Sequence, residues 1–116
     1  MNYWITRLSH PIRGLWFASR NDSAIQIDLM LGGLGIPVVD FLFGPLTTTE
    51  LLLLIFCWFF VVVSELQNSA IEIALDQVHP EHHEAIGRSK DLASAAVVWA
   101  AVFGFICLLL VISGKI

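Results

Sequence analysis

Two long apolar segments constrain the fold of this chain more than any other feature. Leu51 to Val63 is thirteen consecutive apolar residues, and Leu92 to Ile112 is twenty-one residues without a charge. A helix that crosses a bilayer needs about 20 mainly apolar residues, so the second segment is long enough alone and the first needs its neighbours. Of the 116 residues, 57% are hydrophobic and only 14% are charged, and a soluble domain of this size could not bury that much apolar surface. The sequence therefore predicts an integral membrane protein.

Prolines indicate where the membrane-spanning helices begin and end. Pro45 is suited to the first turn of a helix, and Pro80 cannot continue one. We expect a single all-α membrane domain, 1–116, with three transmembrane helices at about 25–43, 46–78 and 92–112. The first span is the least apolar, because it contains Asp28 and Asp40 as well as several glycines. Glycines are common in membrane helices, where they allow close backbone contact.

Positively charged residues are distributed unevenly along the chain. They precede the first span, lie between the second and third, or follow the third: Arg7, Arg13, Arg20, Arg88, Lys90 and Lys115. Because Lys and Arg accumulate on the cytoplasmic side, we expect a cytoplasmic N-terminus and, after three spans, a C-terminus on the outer side of the membrane. Residues 3–20 carry apolar side chains near helical spacing with arginines between them, which predicts an amphipathic helix on the membrane surface.

A polar stripe follows the second span towards its C-terminal end. At about 100° per residue, five polar side chains fall on one narrow face: Glu65, Asn68, Ser69, Glu72 and Asp76. Polar side chains in a membrane helix are energetically costly and usually functional. Arg88 and Lys90 are the only nearby cations in the sequence, too few to pair with three acids. The stripe therefore predicts that a metal cation or a proton binds here.

The residue types in the stripe suit phosphoryl transfer. Mg²⁺ prefers oxygen ligands and typically takes one or two carboxylates together with substrate phosphates. A lysine can neutralise the γ-phosphate of ATP, and a carboxylate can accept the proton of the attacking hydroxyl. Glu65 is the acid deepest in the membrane, where a lipid hydroxyl would lie, whereas Glu72 and Asp76 are nearer the cytoplasm. The segment from Gly87 to Lys90 lacks the first glycine of a P-loop, so that motif is rejected.

The segment ELQNSAIEIALD (65–76), followed by GRSKDLASAA (87–96), resembles the bacterial integral-membrane diacylglycerol kinase family. The signature of that family is E-x-hydrophobic-N-[ST]-A-hydrophobic-E-x-x-hydrophobic-D with a downstream A-K-D, and the similarity covers about residues 13 to 97. The resemblance implies a homotrimer of three-span subunits, each with an amphipathic surface helix and with active sites shared between subunits. It also implies a lipid kinase that uses ATP and Mg²⁺ to convert diacylglycerol to phosphatidic acid at the cytoplasmic membrane surface, with no nucleic acid partner.

The same resemblance implies a role for each matching position. Glu65 is expected to be the general base, and the other catalytic residues are Asn68, Lys90 and Asp91. Asp22 and Glu72 are expected to hold the metal. The residues expected around the nucleotide and its metal are His10, Asp22, Glu72, Asp76, Glu81, His82, His83, Lys90 and Asp91. The residues expected to contact the lipid are Arg13, Glu65 and Ser94.

Three positions depart from the family pattern. Asp22 replaces a glutamate, which shortens a metal ligand by one methylene group. His10 stands where a tyrosine is common near the nucleotide. Gln67 replaces an aliphatic residue and points away from the stripe.

Three other interpretations of the sequence remain open. The cluster of His79, His82 and His83 is a possible zinc site. Undecaprenol, the acceptor of related kinases, is an alternative to diacylglycerol. A small proton-coupled transporter with Glu65 as its proton site is a third, and ATP hydrolysis that depends on lipid would separate that class from a kinase.

Overall fold

The computed structural model describes residues 2–81 and 83–114. These residues form four α-helices and no strand: α1 Tyr3–Asn21, α2 Ser23–Phe43, α3 Thr48–Val78 and α4 Glu84–Ile112. Three of them, α2, α3 and α4, are long and apolar enough to cross a membrane. The prediction of an all-α protein with three transmembrane helices and an N-terminal amphipathic helix is confirmed. The trimer and the position of α1 on the membrane surface stay predictions.

Two helices begin at different residues from those expected, because side chains cap them. Helix α3 starts after Thr47, whose hydroxyl oxygen accepts the backbone N–H of Glu50 at 3.1 Å and donates to the Glu50 carboxylate at 3.1 Å, so Pro45 lies outside the helix. Helix α4 starts at Glu84, since Nδ1 of His83 accepts the N–H of Ala85 at 3.1 Å. It therefore begins eight residues before the expected start at Leu92, and Lys90 lies on a helix rather than in a loop.

Asp40, one of the two aspartates in the first span, has a structural role in the connection between α2 and α3. The side chain of Asp40 reaches past the end of α2 and accepts the backbone N–H of Leu46 at 2.9 Å. A buried backbone N–H needs a hydrogen-bond partner, and the Asp40 carboxylate provides it. Leu46 itself is buried against Leu54 and Val111, so the turn is fixed by one polar and several apolar contacts.

Helix α3 packs against both α2 and α4, and its contact with α4 is the more extensive. The few buried side chains lie along these contacts and include Ile25, Ala100 and the free cysteines Cys57 and Cys107. Many large apolar side chains remain exposed instead, and Trp99 on α4 is 75% exposed. Such an outward apolar surface is expected of helices that are surrounded by lipid or by other copies of the chain.

Candidate active site

Asp22 lies at the junction between α1 and α2 and makes contacts with both carboxylate oxygens. One oxygen accepts the N–H groups of Ala24 and Ile25 at 3.0 and 3.2 Å and so caps the start of α2. The other accepts the hydroxyl of Ser69 on α3. The departure from the family glutamate has a physical reason here, since aspartate is a preferred N-cap residue and its short side chain suits that position. This placement attaches the beginning of the first span to the polar stripe.

The stripe on α3 has the arrangement that helical periodicity predicted. Four of its side chains, those of Glu65, Asn68, Ser69 and Glu72, are half-buried, whereas Asp76 is exposed. Asn68 donates to the carboxylate of Glu72 at 3.5 Å, a long contact that orients both groups. The exposed residue Gln67 lies off this face, as its helical phase indicates.

The structure places Asp28 of α2 near Glu65, and the sequence analysis did not assign Asp28 to the site. The carboxylates of Asp28, Asp22 and Glu72 all lie near enough to that of Glu65 to act on it electrostatically. One carboxylate oxygen of Asp28 is buried without a hydrogen-bond partner among the described residues. The signal was present in the sequence, because an acid inside an apolar span is a functional candidate by the same rule that selected Glu65.

The cation nearest the stripe is Lys90 on α4. Its Nζ atom contacts the carboxylate of Asp76 at 2.5 Å and thereby joins α4 to the last turns of α3. Lys90 is half-buried, with 35% of its side chain exposed, and Asp76 is more open, at 62%. Arg88, the other cation of this region, pairs instead with Glu84 on its own helix at 2.5 Å, and both of those side chains are largely exposed. In the described part of the chain, Lys90 is therefore the cation that forms an ion pair with an acid of the stripe.

Several of the predicted nucleotide and lipid residues are not in contact with the acids. His10 and Arg13 contact each other on α1 at 2.9 Å, Glu81 pairs with His79 at 2.8 Å, and His83 caps α4. Ser94 donates to the carbonyl oxygen of Asp91 on its own helix at 3.0 Å. His82 lies outside the described residues. The roles assigned to these positions stay predictions.

The histidine cluster shows no complete metal site in the part of the chain that is described. The rings of His79 and His83 are 5.3 Å apart between centroids, but His79 pairs with Glu81 and His83 uses Nδ1 as a helix cap. Within residues 2–81 and 83–114 no group of three or more His, Cys, Asp or Glu side chains is arranged to hold a metal.

The side-chain oxygen atoms near Glu65 are the type of ligand that a hard cation such as Mg²⁺ prefers. Asp22 and Glu72 offer carboxylates, and oxygen atoms of Asp28 and Asn68 are buried without partners in the described structure. Mg²⁺ is typically held by one or two protein carboxylates, with water and phosphate oxygens completing its octahedron. The carboxylate and amide oxygens present here are therefore of the type that Mg²⁺ prefers.

Comparison with known proteins identifies the family to which the chain is similar. A model of the prokaryotic diacylglycerol kinase family matches residues 9–112. The diacylglycerol kinase of Haemophilus influenzae is 32% identical over 114 residues, which are 90% of this chain and 95% of that protein. The diacylglycerol kinase of Escherichia coli K12 is 46% identical over 52 residues, which are 43% of each chain.

Three helices able to span a membrane, an acidic group with an adjacent lysine and these matches define the class of the protein, which is a membrane-embedded lipid kinase. The chain belongs to the prokaryotic diacylglycerol kinase family. The resemblance found in the sequence is thereby confirmed.

Proposed function

We propose that this chain transfers the γ-phosphate of ATP to the free hydroxyl of diacylglycerol and releases phosphatidic acid and ADP at the cytoplasmic face of the bacterial inner membrane. The observation that supports this most strongly is the placement of Glu65. It is the acid of the stripe nearest the apolar part of α3, while the Lys90–Asp76 pair lies three turns closer to the α3–α4 connection. A lipid hydroxyl approaching from the bilayer and a phosphate approaching from water would meet between these groups.

Glu65 acts as the general base in this reaction. Its carboxylate accepts the proton of the lipid hydroxyl while the hydroxyl oxygen forms a bond to the γ-phosphorus. The bond from the γ-phosphorus to the bridging oxygen of ATP breaks, and ADP leaves with the electron pair. Positioning and charge stabilisation provide most of the catalysis in phosphoryl transfer, so the surrounding polar groups matter as much as the base.

Asp22 and Glu72 are the residues that would hold Mg²⁺. When bound, the ion neutralises negative charge on the phosphate oxygens. Asn68 supports Glu72 through its side-chain amide, and Ser69 supports Asp22 through its hydroxyl.

Lys90→Ala is expected to raise the KM for ATP and lower kcat, because the γ-phosphate then lacks its nearest cation. Removal of a charge-assisted contact of about 1.5–3 kcal/mol corresponds to a loss of roughly 10- to 100-fold in kcat/KM for ATP. The KM for the lipid should hardly change. Steady-state assays in mixed micelles, with ATP and lipid varied separately, measure both constants.

Arg88→Ala is the matched control, since Arg88 is a cation on the same helix that pairs with Glu84. Its kinetic constants should stay near those of the parent. If Lys90→Ala raised only the KM for the lipid, the two substrate sides would be assigned the wrong way round.

Phosphorylation of diacylglycerol against undecaprenol in mixed micelles tests the acceptor. The family segment NSAIE at 68–72 favours the diacylglycerol branch, so we expect a higher kcat/KM with diacylglycerol. A preference for undecaprenol would overturn the substrate assignment but leave the lipid kinase class intact. Uptake of a proton-coupled solute without lipid-dependent ATP hydrolysis would overturn the proposed reaction.

The trimer with active sites shared between subunits is part of the same proposal. Lys90 contacts Asp76 of its own chain, and Asp76 is three turns from Glu65 on α3. If a site combines Lys90 of one subunit with Glu65 of the next, mixed trimers of Glu65→Gln and Lys90→Ala chains contain sites with both residues intact. Activity should then return after subunit exchange between the two inactive proteins.

Subunit exchange must be confirmed by labelling, and each variant exchanged with itself is the control. No recovery in exchanged mixtures would show that each chain contains a complete site.

A further inference from the structure

We propose that Trp58 is a positioning residue of this active site, whose indole fixes the register of α2 against α3 and so holds Asp28 and Glu65 opposite each other. This role rests on the proposed function, in which Glu65 is the general base. Trp58 lies two helical turns deeper in the membrane-spanning part of α3 than Glu65.

The contact that carries the proposal joins the two helices directly. The indole N–H of Trp58 donates to the backbone carbonyl oxygen of Asp28 at 2.9 Å, across 30 positions of sequence. That carbonyl belongs to the interior of α2 and has a second lone pair available beyond its helical hydrogen bond. Trp58 is half-buried, and within the hydrocarbon layer of a bilayer no water can take the place of a partner for its indole N–H. The hydrogen bond therefore specifies one position of α2 relative to Trp58.

Gly32 makes room for the ring. A Cβ atom added at Gly32 would overlap the indole of Trp58, so the ring lies directly against the backbone of α2. Gly32 is buried and comes one turn after Asp28, on the same side of the helix. Glycine at this position and tryptophan at 58 are therefore complementary, and the close approach is what brings the N–H within reach of the carbonyl oxygen.

A second hydrogen bond braces the same two helices on the other side of the base. Ser69 donates to Asp22 at the start of α2. On α3, Glu65 falls between Trp58 and Ser69, and it lies on the same face as Trp58 because seven residues are nearly two complete turns. One contact alone would allow α2 to rotate or slide, whereas two contacts on either side of Glu65 hold it in register.

The carboxylate of Asp28 lies near enough to that of Glu65 to act on it electrostatically, so a shift of α2 along α3 would change the surroundings of the base. The Trp58 hydrogen bond and the packing of its ring against Gly32 oppose such a shift. The carboxylates are then in place before the substrates arrive, and such preorganised charge is a main source of enzymatic rate enhancement.

Trp58→Phe tests the brace, because phenylalanine keeps an aromatic ring against Gly32 and removes the N–H donor. We expect kcat to fall about tenfold, inside the roughly 10²-fold that a displacement of 1 Å can cost, with the KM values for Mg-ATP and diacylglycerol within about twofold of the parent. Trp99→Phe is the matched control, since Trp99 is 75% exposed on α4, and its kcat should not change. A kcat for Trp58→Phe within twofold of the parent would overturn the proposal.

Gly32→Ala gives an independent test through the same contact, because its added methyl group must displace the indole. It should lower kcat to a similar extent, and the double variant with Trp58→Phe should lose little more than either single variant, since both remove one hydrogen bond. Multiplied losses in the double variant would show two unrelated effects and overturn the proposal. If Trp58→Phe fails to fold, Gly32→Ala still tests the proposal, and an unchanged kcat in Gly32→Ala would overturn it.

A measurement that does not depend on activity separates this proposal from the proposed function. In full-length protein labelled with ¹⁵N-tryptophan in micelles, the indole signal assigned by Trp58→Phe should exchange slowly with D₂O and shift in Gly32→Ala. A parent protein that phosphorylated neither lipid but showed this protected signal would refute the function and retain the brace. Fast exchange at Trp58 in an active parent would refute the brace and retain the function.

Discussion

Glu65→Gln is expected to keep the fold and to lose most of the turnover. The amide has nearly the same shape as the carboxylate but cannot accept the proton of the lipid hydroxyl, and removal of a general base typically costs on the order of 10²- to 10⁴-fold. Thermal stability should stay close to that of the parent, because the amide keeps the size and shape of the carboxylate side chain. Measurement of kcat at saturating ATP and lipid, together with thermal unfolding in detergent, separates the two effects.

Glu50→Gln is the control that the same helix offers. Glu50 lies in the first turn of α3, at the opposite end from the stripe, and its carboxylate contacts Thr47. It should lose a small amount of stability and no activity. A near-normal kcat in Glu65→Gln would remove Glu65 from the role of base.

Substitution of Asp22 is expected to have the second largest effect on activity. Its side chain is both the N-cap of α2 and a proposed metal ligand, and different variants separate these two roles. Asn is as good an N-cap residue as Asp, so Asp22→Asn should keep the start of α2 and the contact with Ser69 while it removes the charge. We expect the Mg²⁺ concentration for half-maximal activity to rise by at least about tenfold, with little change in thermal stability. Titration of activity with Mg²⁺ at fixed ATP measures this.

Asp22→Ala removes the cap as well as the charge. The lost cap costs about 1 kcal/mol, and the hydroxyl of Ser69 loses its partner, so thermal stability should fall measurably below that of Asp22→Asn. Asp22→Glu restores the family residue but places its carboxylate beyond the capping position, and its Mg²⁺ requirement should be compared with that of the parent. Equal Mg²⁺ requirements for Asp22→Asn and the parent would show that Asp22 is a structural cap and no metal ligand.

The helical periodicity of the sequence was sufficient to predict the stripe. Glu65, Asn68, Ser69 and Glu72 share a face because the rotation per residue of an α-helix is nearly constant, and no other part of the chain changes it. The strict spacing of the same residues also identified the family, which the comparisons confirmed. Composition and the lengths of the apolar segments predicted the three membrane-spanning helices for a similar reason, since bilayer thickness sets how many residues each needs.

Capping could have been predicted in part. Thr47 with Glu50 three residues later is a capping box, and this local pattern indicates a start of α3 after Thr47 rather than at Pro45. Asp22 is likewise a residue type that favours an N-cap. The early start of α4 depends on a histidine side chain, which is a weaker signal in the sequence.

The sequence by itself determined that three apolar helices cross a membrane and that one of them carries acids on a single face. Only the tertiary structure decided how those helices are placed against each other. Lys90 reaches Asp76 across the α3–α4 pair, and the indole of Trp58 fits against Gly32 and donates to the carbonyl oxygen of Asp28 across the α2–α3 pair. The physical reason is that helical phase is a local property of the backbone, whereas the register between two helices depends on the shape and hydrogen bonds of side chains far apart in the chain.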